Sequence, residues 1–293
     1  MFRIRIQNKK KCIWYCSAVV SFLLFLLLLG WTNHLANTQD AQQMAGRWSE
    51  KKDVAQISCF FSSKAEVTED TIQSFEYSLK NVLQEASITE TSENPSARLW
   101  VDAYSADGKI TLVNGKNTLD ANAIGIGGDF FMFHPLKLIT GAYFSGNDLM
   151  QDYCIIDQDA AWQLFGSNDV VGMTVYIGNV PHIVTGVVQR PDSRMDKAAG
   201  LNSTVVYVSY ETLSAYGTNN GINHYEIVMP NPVDEFAYGK VKEGIGIDEK
   251  NVEIVENSRR YSLPNRIKTI LAFGTRSMNG KAIIYPCLLY TSD

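Results

Sequence analysis

The 293 residues hold 26 Lys and Arg against 31 Asp and Glu, a net charge of −5, and 45% of them are hydrophobic. Length allows one or two domains, and the acidic balance excludes an electrostatic footprint for nucleic acid. Five cysteines occur with no C-x-x-C among them, which removes thioredoxin-like and zinc-knuckle chemistry.

The chain is organised around Ile13–Trp31, 19 residues with no charge. At about 1.5 Å per residue a helix of this length reaches roughly 28 Å, close to the hydrocarbon thickness of a bilayer. Trp14, Tyr15 and Trp31 stand at its two ends, where amphipathic rings favour the headgroup zone. Arg3, Arg5, Lys9, Lys10 and Lys11 precede it, and the first Lys or Arg after it is Arg47. The positive-inside rule therefore predicts a cytoplasmic N-terminus and an extracellular or periplasmic remainder. A cleaved signal peptide would have a shorter apolar core and a small-x-small site, whereas His34-Leu35-Ala36-Asn37 is a poor cleavage sequence. A buried helix of a soluble protein would show a polar face, and this segment has none.

Residues 32–53 are polar and read as a stalk. Val54–Ser62 reads as a strand, and the Thr68-Glu69-Asp70 sequence supplies a cap for a helix over Thr71–Ala86. Ile72, Phe75, Leu79, Val82 and Leu83 give that helix one apolar face. Ala97–Ala103 and Lys109–Val113 read as strands joined by a hairpin turn at Asp107-Gly108, with a further turn at Asn114-Gly115. A strand, a helix and a hairpin in this order predict an α/β layer of the split βαβ kind. Gly125-Ile126-Gly127-Gly128-Asp129 lacks both phosphate-loop and dinucleotide spacing, so it reads as strand and turn.

From Thr140 the texture changes to short strands, at Tyr153–Asp157, Thr174–Ile177, His182–Val188 and Thr204–Val208, with a helix over Gln158–Phe165 ended by Gly166. This predicts a small β-rich insertion. Strand, helix and strand then return at Tyr225–Met229, Val233–Glu243 and Val252–Val255. The expected fold class is α+β, with a transmembrane helix followed by a split α/β subdomain and its inserted β-rich subdomain.

Catalytic chemistry is not legible. His34, His134, His182 and His224 are far apart in sequence and fit no metal-ligand spacing. Asp148, Asp152, Asp157 and Asp159 lack a calcium-loop pattern. No nucleophile motif stands out, and Asn202-Ser203-Thr204 is a formal glycosylation triplet of low specificity. The sequence thus nominates no catalytic, cofactor-binding or metal-binding residue, and points away from an enzyme. Cys12 and Cys16 lie at the anchor and Cys287 near the end. Cys59 and Cys154 are expected as buried free thiols, a disulfide between them being the alternative.

Gly141-Ala142-Tyr143-Phe144, then YCIIDQDAAWQLFGSNDVVGMTVYIG and PHIVTGVV, and finally Val205–Leu213, resemble the extracellular core domain of ABC-transporter permeases of the MacB and FtsX type. The resemblance covers roughly Met1–Pro286. It implies one helix, a large exterior domain of two subdomains, and three further helices. It also implies a permease homodimer or heterodimer in membrane lipid, a separate cytoplasmic ABC ATPase as partner, and a role in export or mechanotransmission with no catalytic residues in the exterior domain. The transported substrate is not implied. The corresponding division is 1–12 basic tail, 13–31 transmembrane helix, 32–53 stalk, 54–139 and 223–262 the two halves of the α/β subdomain, 140–222 the insertion and 263–286 a linker. Residues 287–293, with the string CLLYTS, resemble a translated library adapter, so the chain is expected to be a C-terminally shortened fragment. A single-pass anchored binding or sensor protein is the alternative function.

Overall fold

The computed structural model describes residues 9–37, 40–49, 53–89, 98–190 and 203–260. The first eight residues of the basic tail, the 263–286 linker and the 287–293 segment with Cys287 lie outside them. The chain divides into two units, Met1–Gln39 and Asp40–Asp293.

In the first unit, α1 spans Lys9–Asn37. Its 22-residue stretch Ile13–His34 has a mean hydropathy of 2.3, and it is the one helix among the described residues long and apolar enough to cross a membrane. The side chains from Ile13 to Trp31 turn outward on all sides, as a lipid-facing helix requires. Thr32 returns its hydroxyl to the Leu29 carbonyl at 3.0 Å, so its polar group is satisfied within the helix.

The second unit begins with a 3₁₀ turn at Asp40–Gln42 and the short helix α2 at Met44–Trp48. Part of the polar stretch expected as a stalk is thus built into the domain, because Met44 and Ala45 are buried in its core. Strand β1 covers Val54–Phe61, and helix α3 follows at Glu69–Glu85. Thr68 caps α3 in a reciprocal box with Thr71, and Ile72, Phe75, Leu79 and Leu83 face inward at helical spacing.

The expected turn at Asp107-Gly108 is not there. Strand β2 runs straight through it, from Val101 to Asn114, and pairs residue for residue with β3, Asn117–Gly128. The chain reverses instead at Gly115-Lys116, where Gly115 adopts φ +60°, next to the expected Asn114-Gly115 turn. Gly108 serves close approach and not reversal, since a Cβ there would stand 3.0 Å from a Leu213 methyl and would run into the Thr218 carbonyl.

The remaining elements follow as α4 (Phe130–Phe133), β4 (Leu138–Gly141), β5 (Tyr153–Asp157), α5 (Gln158–Phe165), β6 (Thr174–Ile177), β7 (Val180–Val188) and β8 (Val205–Ser209). Then come α6 (Tyr210–Tyr216), β9 (Thr218–Asn219), β10 (His224–Pro230), α7 (Phe236–Gly244), β11 (Val252–Glu256) and α8 (Asn257–Arg260). The short strands and α5 stand where hydropathy and turn residues placed them. Asp157 caps α5 through Ala160 N at 2.7 Å, and Gly166 closes it in the left-handed conformation, φ +73°.

Along the sheet the strand order is β11-β1-β10-β2-β3-β8-β5-β7-β4, and β6 bridges β2 and β7. The pairings β2–β3–β8–β5–β7–β6–β2 therefore close on themselves, so each strand of this ring has a neighbour on both sides. Leu112, Ile177, Ile156, Val184, Val206 and small residues such as Ala106 fill it. The other end, β11-β1-β10-β2, is open. Ala55, Ile57, Cys59, Tyr225, Ile227 and Met229 on one face pack under α3 and α7 in a second core. A third core, with Met44, Phe130, Phe133 and Val228, covers the opposite face.

Candidate functional site

That opposite face carries the densest buried polar chemistry among the described residues. Side chains alternate along a strand, so His224 and Glu226, two apart on β10, share one face. Antiparallel register sets Ser58 opposite Glu226 and Phe60 opposite His224. The single turn of α4 then delivers His134, whose own N–H closes the turn on the Phe130 carbonyl at 2.9 Å.

Glu226 sits at the centre. His134 Nε2 lies 2.7 Å from its Oε2, and His224 Nε2 lies 3.7 Å from its Oε1. Ser58 donates its hydroxyl to Oε1 at 2.6 Å, and Asn257 Nδ2 donates to that Ser58 oxygen at 2.7 Å. Phe60 stacks on His224 and Phe130 leans on His134, each with centroids 4.6 Å apart. Burial opposes the charge on Glu226, yet His134, His224 and the Ser58 hydrogen bond outweigh it and hold the carboxyl down at about 2. Burial likewise lowers the pKa of His224, with Glu226 pulling the other way, so at neutral pH its imidazole is uncharged.

The same face receives the first and the last described segments of the second unit. Gln56 is fully buried; its Oε1 accepts from Met44 N at 2.9 Å and its Nε2 donates to the Ala41 carbonyl at 2.6 Å. Its backbone N–H donates to Ser258 Oγ at 2.8 Å. Arg47 of α2 also donates to the Met132 carbonyl at 2.7 Å. Residues that follow α1 in sequence and residues of α8 are therefore wired to neighbouring positions of one strand, β1.

Beyond this cluster several charged groups have local structural partners. Asp157 takes Arg190 Nη2 at 2.7 Å and Val205 N at 3.0 Å, Asp159 takes Arg190 Nη1 at 2.5 Å, and Asp148 accepts from Ser145 N at 2.9 Å. Of the aspartates counted as a group in the sequence, Asp157 and Asp159 thus share Arg190, while Asp148 serves a separate turn. His182 spans the Val180 carbonyl and Thr212 Oγ1, at 3.0 and 3.1 Å, and His34 is on α1. On the α3 side, Tyr225 donates to Asp102 Oδ2 at 3.1 Å, and burial followed by the nearby Asp102 pushes the Glu76 carboxyl up to about 8. Cys59 and Cys154 are separate buried thiols; burial raises both, that of Cys154 to about 12. Gly125 admits α6, since a Cβ there would meet Leu213 Cδ2 at 2.7 Å.

Sequence spacing missed the His134–His224–Glu226 cluster because the two histidines come from distant elements. The only signal for it was the His-x-Glu pair within an alternating strand.

The family model described as MacB-like periplasmic core domain matches residues 21–254. The macrolide export ATP-binding/permease protein MacB of Chromobacterium violaceum is 32% identical over 99 residues, which are 33% of this chain and 15% of that protein. Its counterpart in Pasteurella multocida is 30% identical over 98 residues, 33% of this chain and 14% of that protein. The chain thus spans only a small part of those relatives' length. Among solved structures, the periplasmic region of MacB from Actinobacillus actinomycetemcomitans aligns with TM-score 0.44 and 18% identity, over 74% of this chain and 92% of that one. The extracellular domain of the noncanonic ABC-type transporter YknZ from Gram-positive bacteria aligns with TM-score 0.42 and 17% identity, over 68% and 99%.

Proposed function

Because the chain belongs to the MacB-like periplasmic core domain family, we propose that it is permease material of a MacB/FtsX-type ABC transporter, acting in export or mechanotransmission. In this reading α1 crosses the membrane with the N-terminus inside, and the domain after it stands outside. A cytoplasmic ABC ATPase and a second permease copy are its partners, and the domain works by shape and displacement.

One observation carries the mechanical part. The segment after α1 and the segment leading out through α8 both hydrogen-bond to β1, through Gln56 and Ser58. Those bonds are short, and two of the four, Met44 N to Gln56 and Asn257 to Ser58, are fully buried. A pull on either segment would load β1 through these bonds, which are costly to break where they are buried. The divisions 54–139, 140–222 and 223–262 are proposed as subdomain boundaries, with β2 and β3 shared between the open end and the ring.

The test co-expresses the permease with a candidate ABC ATPase. Gln56→Ala is expected to leave ATP hydrolysis by the co-purified complex within about twofold while lowering transport or downstream output severalfold. Equal loss of both, or loss of neither, removes the mechanical link. A protein that retains no ATPase on purification overturns the permease reading. Orientation is checked at Leu149, which is fully exposed. Leu149→Cys should react with a membrane-impermeant maleimide in intact spheroplasts, and protection until lysis would reverse the proposed topology.

A further inference from the structure

We propose that His134, His224 and Glu226 form a binding site for one divalent transition-metal ion of the zinc type, clamping β10 to the turn that follows α4.

The donor set is the first argument. Two imidazoles and one carboxylate suit zinc and its first-row neighbours, whereas calcium and magnesium require more oxygen ligands than this pocket offers. Geometry is the second. One donor atom from each residue lies within 4.8 Å of the other two. Two donors bound at about 2.1 Å to a tetrahedral ion stand roughly 3.4 Å apart. His224 Nε2 and Glu226 Oε1 are 3.7 Å apart, beyond hydrogen-bond distance and close to that spacing. His134 Nε2, at 2.7 Å from Oε2, would withdraw by roughly 0.7 Å to take its place. His134 ends a single helical turn, so the adjustment falls at the boundary of a short element and not within the sheet.

The third argument is support. Glu226 and His224 project from a strand paired on both sides, and Asn257 holds Ser58, which holds the Glu226 carboxylate. Such an outer shell fixes a ligating carboxylate in place before the ion arrives. The side chains of His134 and His224 keep 16% and 12% of their surface exposed, while the donor atoms His224 Nε2 and Glu226 Oε2 are themselves buried, so the ion would enter by a small displacement of the His134 turn. The ion would bridge a buried carboxylate that now meets His134 at 2.7 Å and His224 only at 3.7 Å. The proposal stands on side-chain geometry alone and does not depend on the transporter reading.

The test is metal titration of the full, tag-free chain in detergent micelles at pH 7.5, with apo protein prepared by chelation. Calorimetry with zinc should give one equivalent bound at micromolar or tighter dissociation constant, and a raised melting temperature. Cobalt should give the visible bands of a four- or five-coordinate nitrogen and oxygen site without thiolate charge transfer. Glu226→Gln and His134→Gln should abolish the stoichiometric step, Asn257→Ala should weaken it by about 10–100-fold, and His34→Gln should leave it unchanged. No zinc or cobalt uptake by the wild-type chain at 100 μM overturns the proposal. So does a cobalt spectrum with thiolate bands, or binding that survives Glu226→Gln. The wild-type cobalt spectrum decides the matter even where a variant fails to fold.

Discussion

The ring and the open end of the sheet bury their strands by opposite means. In the ring, each strand has two neighbours and the interior is aliphatic, with Leu112, Ile156 and Ile177 fully buried. At the open end, β1 and β10 bury one apolar face under helices, and on the other they mix apolar residues such as Val228 with the polar cluster under α2, α4 and α8. The ring is therefore chiefly a packing solution, although it too buries polar side chains, His182 and Asp157. The open end is a hydrogen-bonded joint, sensitive to pH and to the segments docked on it.

The largest expected effect tests the ring. Leu112→Ala should cost about 2–5 kcal/mol in urea unfolding, as a cavity in a closed aliphatic core does, and its cost should be the same at pH 5 and pH 8. A loss under 1 kcal/mol would mean that the ring collapses around the cavity and is not the rigid half. Gln56→Ala comes next, at about 1–3 kcal/mol, because it strands the buried Met44 N–H and the Ala41 carbonyl. Amide exchange should accelerate over Met44–Trp48 in that variant and stay slow in β5–β8; uniform acceleration would erase the distinction between the halves.

The pH responses are smaller. His224 has a folded pKa below its ordinary 6.5, so its contribution is complete above pH 6.5 and is lost as the pH falls through that value. The groups facing it are Glu226, His134 and Asp107. Glu226, held at about 2 against an ordinary 4.5, adds stability above pH 4.5 that disappears only toward pH 2. His224→Gln should therefore flatten the stability curve between pH 6.5 and 5, and an unchanged slope would show that the open end is not the acid-sensitive half. The smallest effect has the reverse sign. Glu76, raised to about 8, favours folding as the neutral acid, so its contribution falls as the pH climbs from 4.5 through 8. Glu76→Gln should level that alkaline decline; because the residue is only partly buried, screening keeps the change slight.

Legibility in the sequence divided along the same line. The ring's elements were readable because each is a short apolar run bounded by turn residues, as at Tyr153–Asp157 and Gln158–Phe165 with Gly166. Asp107-Gly108 misled because glycine's two uses, reversing the chain and admitting a neighbour, look alike until the neighbour is known; here it is Leu213 of α6, about a hundred residues on. The joint was unreadable for a deeper reason. Its members, Gln56 and Ser58 of β1, His134 after α4, His224 and Glu226 of β10 and Asn257 of α8, are polar residues from four distant places in the chain, and only strand register and the placement of α4 bring them together. Periodicity reports burial of apolar faces, and it says nothing about which buried polar groups meet.

The unbroken β2–β3 ribbon has a mechanical consequence. Fourteen residues of β2 at about 3.4 Å each make an arm of roughly 45 Å, anchored at one end beside β10 and tipped by the Gly115 turn. A stiff arm of that length converts a tilt of 1° at its base into about 0.8 Å of travel at its tip, and 10° into about 8 Å. A tilt of about 10° at the foot would thus carry the far rim, with the strands paired to it, through roughly two atomic diameters.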